Sequence, residues 1–192
     1  MVRGENHSPG EGNAVAIGLI PFDCSVEEEL SFLPEALHEA FGLRASWCPA
    51  IPLPRGAYRK GRGQYLAASL LQALARTPPG KYLRLLGIAD VDLYAPGLNF
   101  VFGQAVVGGR ECVISLWRLR PYFYGLSPEW SVFRDRVVKE AVHELGHTFG
   151  LGHCRDPGCV MRFSNSIADT DRKGRDFCPH CRGSLERVIG RP

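Results

Sequence analysis

Methionine is almost missing from this chain: Met1 and Met161 are the only two in 192 residues. No run approaches the ~18 consecutive apolar residues that a membrane helix needs, which excludes a spanning segment of that kind. The first apolar run, AVAIGLI at 14–20, follows a polar arm with neither the basic start nor the small-residue cleavage site of a secretion signal, so a cytoplasmic protein is expected. Excess charge is lacking too. The 23 basic and 20 acidic residues leave +3, too little to imply nucleic acid as a partner. The densest basic cluster, RGAYRKGR at 55–62, reads as a solvated loop.

What is present is the composition of a globular domain, 45% hydrophobic and 22% charged, long enough to bury one sizeable core. Seven cysteines in a reducing compartment do not suggest a disulfide framework. Cys24, Cys48 and Cys112 lie among apolar residues and read as structural thiols, whereas Cys154, Cys159, Cys178 and Cys181 crowd the last 40 residues.

Read for periodicity, the chain alternates strands and helices. AVAIGLI is a buried strand, and Leu30, Leu33, Leu37 and Phe41 fit one face of a helix from Val26 to Phe41, with Ser25 as its cap and Glu28 completing a capping box. RASWCP at 44–49 is a second strand, Gln64 to Ala75 a second helix, and YLRLLGI at 82–88 a third strand. This order is that of an α/β unit with mostly parallel strands. NFVFGQAVV and ECVISLWRL, separated by GGR at 108–110, read as a hairpin adding antiparallel edge strands. A central helix is expected from Ser131 to Phe149, with Phe133, Val137, Val138, Ala141, Val142, Leu145 and Phe149 as its apolar stripe. Beyond Gly150 few large apolar residues remain. The expected layout is a single domain with an α/β half at 1–150 and an irregular tail at 151–192 that needs a metal to hold it.

The chemistry is concentrated in HELGHTFGLGHC at 143–154. His143 and His147 are four apart and share a helix face, while Glu144 sits one step away, beside a water on a shared metal but not ligating it. Two imidazoles leave a catalytic zinc one protein ligand short. His153 lies six residues on, about 600° round a continuous helix and on the wrong side. The helix must therefore stop, and Gly150 can take the left-handed turn that brings His153 back. Cys154-x4-Cys159 and Cys178-x-x-Cys181 form two pairs with the spacing of a tetrahedral zinc site. Two disulfides or free thiols are the alternatives, and His180 could stand in for one cysteine.

His143-Glu144-x-x-His147-x-x-Gly150-x-x-His153, with Met161 following, resembles the zinc motif of the metzincin metalloproteases. Cys154, Cys159-Val160-Met161 and Cys178-x-x-Cys181 narrow the resemblance to the archaemetzincin family. The resemblance implies a metzincin-like twisted sheet with an antiparallel edge strand, a backing helix and an active-site helix. It further implies two zinc ions: a catalytic one on His143, His147 and His153, and a structural one on the four cysteines. Glu144 would be the general base and acid of peptide-bond hydrolysis, Met161 the methionine of the turn beneath the metal, and a strand within 99–119 the partner of an extended substrate. Peptide or protein substrates and a monomer are expected. Phe163 departs from the tyrosine that some metzincins place two residues after that methionine, which keeps open a catalytically silent zinc-binding protein that serves as a peptide-binding or regulatory module.

Overall fold

The structure is a computed structural model describing residues 17–78 and 82–190. Residues 14–16 of the first expected strand lie outside that range. In chain order the elements begin with β1 (Ile17–Phe22), α1 (Leu33–Phe41), β2 (Ala45–Trp47), β3 (Tyr58–Arg59), β4 (Gln64–Leu66) and α2 (Ala67–Ala75). They continue with β5 (Arg84–Ala89), β6 (Leu93–Tyr94), β7 (Gly103–Ala105), β8 (Glu111–Ser115), α3 (Trp130–Thr148), α4 (Ile167–Arg172) and α5 (Pro179–Ile189).

The main sheet has the order β2-β1-β5-β8-β7. β2, β1, β5 and β8 are parallel, and β7 closes one edge antiparallel to β8. Alternation divides each central strand between two cores. Leu86 and Ile88 of β5 and Cys112 and Ile114 of β8 face α1 and α3. Leu85, Ala89 and Val113 face the opposite side, against Leu70, Leu71 and Leu74 of α2. Parallel strands buried on both faces carry near-continuous apolar runs, as RLLGIA and ECVIS do.

The mixed α/β architecture and the mostly parallel sheet are those expected from the sequence, but of the two hairpin strands only β7 is an antiparallel edge, because β8 inserts between it and β5 as a parallel inner strand. Several boundaries differ for physical reasons. The first helix starts at Leu33, not Val26, because Pro34 lacks an N–H and belongs in a helix's first turn. The capping box at Ser25 is therefore not formed, although Leu30, Leu33, Leu37 and Phe41 are buried as expected. Gln64–Leu66 is a strand, not the first turn of α2, and joins a small second sheet in the order β3-β4-β6. The tail is not irregular: it holds α4, with a capping box between Ser166 and Asp169, and α5. Phe177, Cys181 and Leu185 of the tail belong to the same core cluster as α1 and α3.

From Arg136 onward α3 is buried on every side, polar residues included. The apolar stripe read from the sequence is present, but the rest of the helix is covered as well. A helix buried all round with charged residues on it must carry partners for them, and that requirement shapes the site below.

Candidate metal centres

The end of α3 sets the geometry. The Gly150 N–H donates to His147 O and the Leu151 N–H to Gly146 O, the paired bonds of a Schellman motif, with Gly150 at φ 86°. The chain then doubles back and carries His153 to the other two histidines. The His143 and His147 rings stand 5.4 and 4.9 Å from that of His153, centre to centre.

Two backbone carbonyls decide which nitrogens face inward. His143 Nδ1 lies 2.8 Å from Val160 O and His147 Nδ1 lies 2.7 Å from Leu151 O. A carbonyl only accepts, so each ring carries its proton on Nδ1 and turns a lone pair inward on Nε2. The two Nε2 atoms are 3.1 Å apart, and two lone pairs at that distance have no proton to share between them. Tetrahedral zinc with Zn–N near 2.0–2.1 Å separates its nitrogen ligands by about 3.3–3.4 Å, so the donor set fits that ion. One ligand atom from each of His143, His147 and His153 lies within 4.8 Å of the others. Burial lowers all three imidazoles, His143 furthest; Lys173 adds to the effect on each, and the neutral ring is the form that binds metal.

Glu144 stands one helical step from His143 and is not among the converging ligand atoms. Its carboxyl is buried, and burial pushes it well above the usual carboxylate range, with Glu140 adding to the rise. It lies against Gly103 of β7. A Cβ at Gly103 would come within 2.5 Å of Glu144 Cγ and 2.7 Å of its Oε1. The same economy operates beneath the helix, where a Cβ at Gly146 would stand 2.5 Å from Met161 Sδ. Met161 is fully buried there, and Phe163 packs on His153 at 4.9 Å with half its surface exposed.

The four cysteines converge separately. Cys154, Cys159, Cys178 and Cys181 bring their sulfurs within 4.8 Å of one another, and no two are bonded. Cys154 Sγ and Cys178 Sγ are 3.8 Å apart, far from a disulfide's ~2.05 Å and close to the ~3.8 Å between sulfurs of a tetrahedral zinc thiolate at 2.3 Å. His180 is not among these ligand atoms. Cys178 opens α5, and the Cys181 backbone N–H lowers its thiol, whereas burial raises Cys159 and Cys181. Cys24, Cys48 and Cys112 join neither group; Cys112 is buried and the other two are half-buried.

Sequence reasoning named every residue of both clusters but missed their supports. Gly103, Gly146 and the carbonyls of Leu151 and Val160 carry no signature in the chain. Glu140 and Lys173 were equally silent, although each is almost wholly buried. The one signal available was a run of charged residues, Arg136, Lys139 and Glu140, on a helix otherwise suited to the core.

The edge strand beside this site is β7. Phe102 O accepts from the Ser115 N–H and the Val106 N–H donates to Glu111 O, which makes residues 102, 104 and 106 the inward-bonded members of the ladder. Gly103 and Ala105 therefore turn their backbone groups to the open edge. The following loop is tied to α3 by the Gly108 N–H on His147 O.

Known proteins resemble this chain over most of its length. The family model of peptidase family M54 matches residues 51–187. An archaemetzincin of Methanopyrus kandleri is 55% identical over 139 residues, covering 72% of this chain and 75% of that protein. An archaemetzincin of Pyrococcus furiosus is 44% identical over 183 residues, covering 92% and 93%. The crystal structure of the Methanopyrus kandleri archaemetzincin superposes with a TM-score of 0.83 at 45% identity, covering 94% of this chain and 98% of that one.

Proposed function

The chain belongs to peptidase family M54 and is a zinc metallopeptidase of the archaemetzincin kind, and from that premise we propose which of its residues perform the hydrolysis. His143, His147 and His153 hold the catalytic zinc through their inward nitrogens. When bound, zinc supplies the Lewis acidity that polarises a scissile carbonyl and acidifies water. The observation that carries this reading is the pair of Nδ1–carbonyl bonds, which leave two lone pairs converging beside a buried, unligated carboxylate.

Glu144 takes a proton from the attacking water and returns it to the departing amine nitrogen. Burial raises its proton affinity, which suits a carboxylate that must take a proton from water and hold it until the amine departs. An extended peptide adds to the open edge of β7, bonding to the backbone of Gly103 and Ala105, so that its scissile bond is held in front of Glu144. Gly103 presents no side chain there, and the substrate backbone can approach closely. Phe163 cannot donate a hydrogen bond, so the ring that packs on His153 shapes the ligand without assisting the transition state.

The four cysteines hold a second, structural zinc, giving two ions per chain, and among the described residues the parts before and after residue 150 form two halves of one domain joined through the shared core. Seven unpaired thiols suit a reducing, cytoplasmic setting, and no helix among the described residues is long and apolar enough to cross a membrane. The protein acts as a monomer on peptide or protein substrates. The test is Glu144→Gln, assayed on a quenched fluorescent peptide library beside metal analysis. Both zincs stay and turnover falls by roughly 100-fold or more; cleavage at the parent rate would remove Glu144 from the mechanism.

A further inference from the structure

One buried cation beneath the histidines has no part in the reaction. Lys173 is 2% exposed, and its Nζ lies 2.9 Å from Glu140 Oε1, itself on a residue 3% exposed. The pair is an ion contact rather than an aligned hydrogen bond, because Nζ has no well-directed acceptor among the described residues. Thr170 Oγ1 donates to the same Glu140 oxygen at 3.1 Å. Lys173 is fixed at its root: its N–H donates to Asp169 O, and the next residue, Gly174, donates to Gly158 O at 3.1 Å.

Buried ion pairs contribute little to stability on their own, since the cost of desolvation offsets the attraction. The position of this one points to another task. Glu140 and Glu144 are four apart on α3, so their side chains emerge one turn from each other, about 6 Å between Cβ atoms. Both carboxyls are buried and both feel the lysine's charge, which opposes the upward push on Glu144. A single ammonium on a flexible four-carbon stem thus has a second buried carboxylate one helical turn beyond the one it pairs with. Were it to pair with Glu144, that side chain would leave Gly103 and the edge of β7 and swing inward.

We propose that Glu140 is a positioning residue that keeps Lys173 occupied, so that Glu144 stays unpaired against Gly103 and free for the reacting water. The inference rests on Glu144 being the proton-transfer group, and it adds that the freedom of Glu144 is maintained by a second carboxylate one turn earlier.

The experiment compares zinc-loaded parent, Glu140→Gln and Glu140→Gln/Lys173→Met, with steady-state cleavage of one fluorogenic peptide and a crystal structure of Glu140→Gln. The single variant should fold, because Glu144 can take over the ammonium. Its kcat should fall roughly 10- to 100-fold at unchanged KM and zinc content, and its structure should show Lys173 Nζ on the Glu144 carboxylate. Removing the lysine in the double variant should recover most of the lost kcat, which a merely structural pair would not do. The inference is overturned if Nζ stays beside Gln at position 140, if the double variant is as slow as the single, or if the single variant fails to fold while the double folds. If the parent itself cleaves nothing, the peptidase assignment of these residues fails, and the crystal structure still judges the exchange of partners.

Discussion

Gly103→Ala tests whether the edge strand and the proton-transfer residue are matched to each other. An added Cβ would stand 2.5 Å from Glu144 Cγ, 2.7 Å from Glu144 Oε1 and 2.7 Å from the backbone oxygen of Val113. Ordinary contact begins near 3.4 Å, so the shortfalls are about 0.9 Å at Cγ and about 0.7 Å at the two oxygens. Val113 O belongs to a central strand and cannot recede without opening the ladder, so Glu144 and β7 must absorb the displacement. Overpacking of this kind costs about 1–3 kcal/mol, which for a chain of this size lowers Tm by roughly 2–12 °C. The larger effect is on chemistry, where moving a reacting group by ~1 Å can cost about 100-fold. Peptide cleavage, zinc content and a thermal melt should therefore show kcat/KM reduced by roughly two orders of magnitude in a folded protein that keeps both metals. A folded Gly103→Ala with parental kcat/KM would refute the close contact as a determinant of catalysis.

Two further outcomes follow from the same geometry. Cys154→Ser should lose the cysteine-bound zinc and weaken zinc at the histidines by about 10-fold or more in a chelator competition, whereas His153→Ala should lose only the latter; one ion lost by both variants would abolish the two-site layout. Gly150→Ala meets no atom within 4 Å, so its whole cost is the left-handed φ of 86°, about 1–2 kcal/mol; the melt should fall by roughly 2–8 °C, and an unchanged Tm would mean the turn is not under that constraint.

The parts of the site that were legible in the sequence are those whose chemistry demands a residue type. Zinc accepts few donors, so His143, His147, His153 and the four cysteines could be named, and the helix period then required a break where Gly150 stands. The α/β order was legible because strand and helix periods differ. What stayed hidden depends on three-dimensional approach. Nothing local distinguishes Gly103, which must be bare because Glu144 lies against it, from the bare Gly109 of the neighbouring turn. Val160 and Leu151 act through carbonyl oxygens, which every residue has. Pro34 carries a signal of its own, since proline is excluded from a helix interior and favours a start at Leu33 over Val26. The capping pattern at Ser25 and Glu28 outweighed it because that pattern is local and the apolar spacing runs through both segments.

His153 and Cys154 are neighbours in the chain that belong to different clusters, and the backbone around them shows how one cluster bears on the other. The Cys154 N–H donates to Met161 O, so the segment bearing His153 is pinned to the turn under the helix. Within that turn, Cys159 supplies a thiol, Val160 O fixes the His143 ring and Met161 fills the space above which Gly146 is bare. The far side of the turn is held by the Val160 N–H on Asp176 O and by the Cys178 N–H on Cys159 Sγ. Three consecutive residues thus touch both clusters, and any movement of Cys159 is passed to His143 through a single peptide unit. In the proposed reading the tail's zinc does more than hold together a segment already anchored in the core by Val160, Met161, Phe177 and Leu185. Bound to the four cysteines, it would fix the carbonyl that selects the tautomer of the first histidine, so the lone pair offered to a catalytic metal would depend on a metal that never meets the substrate.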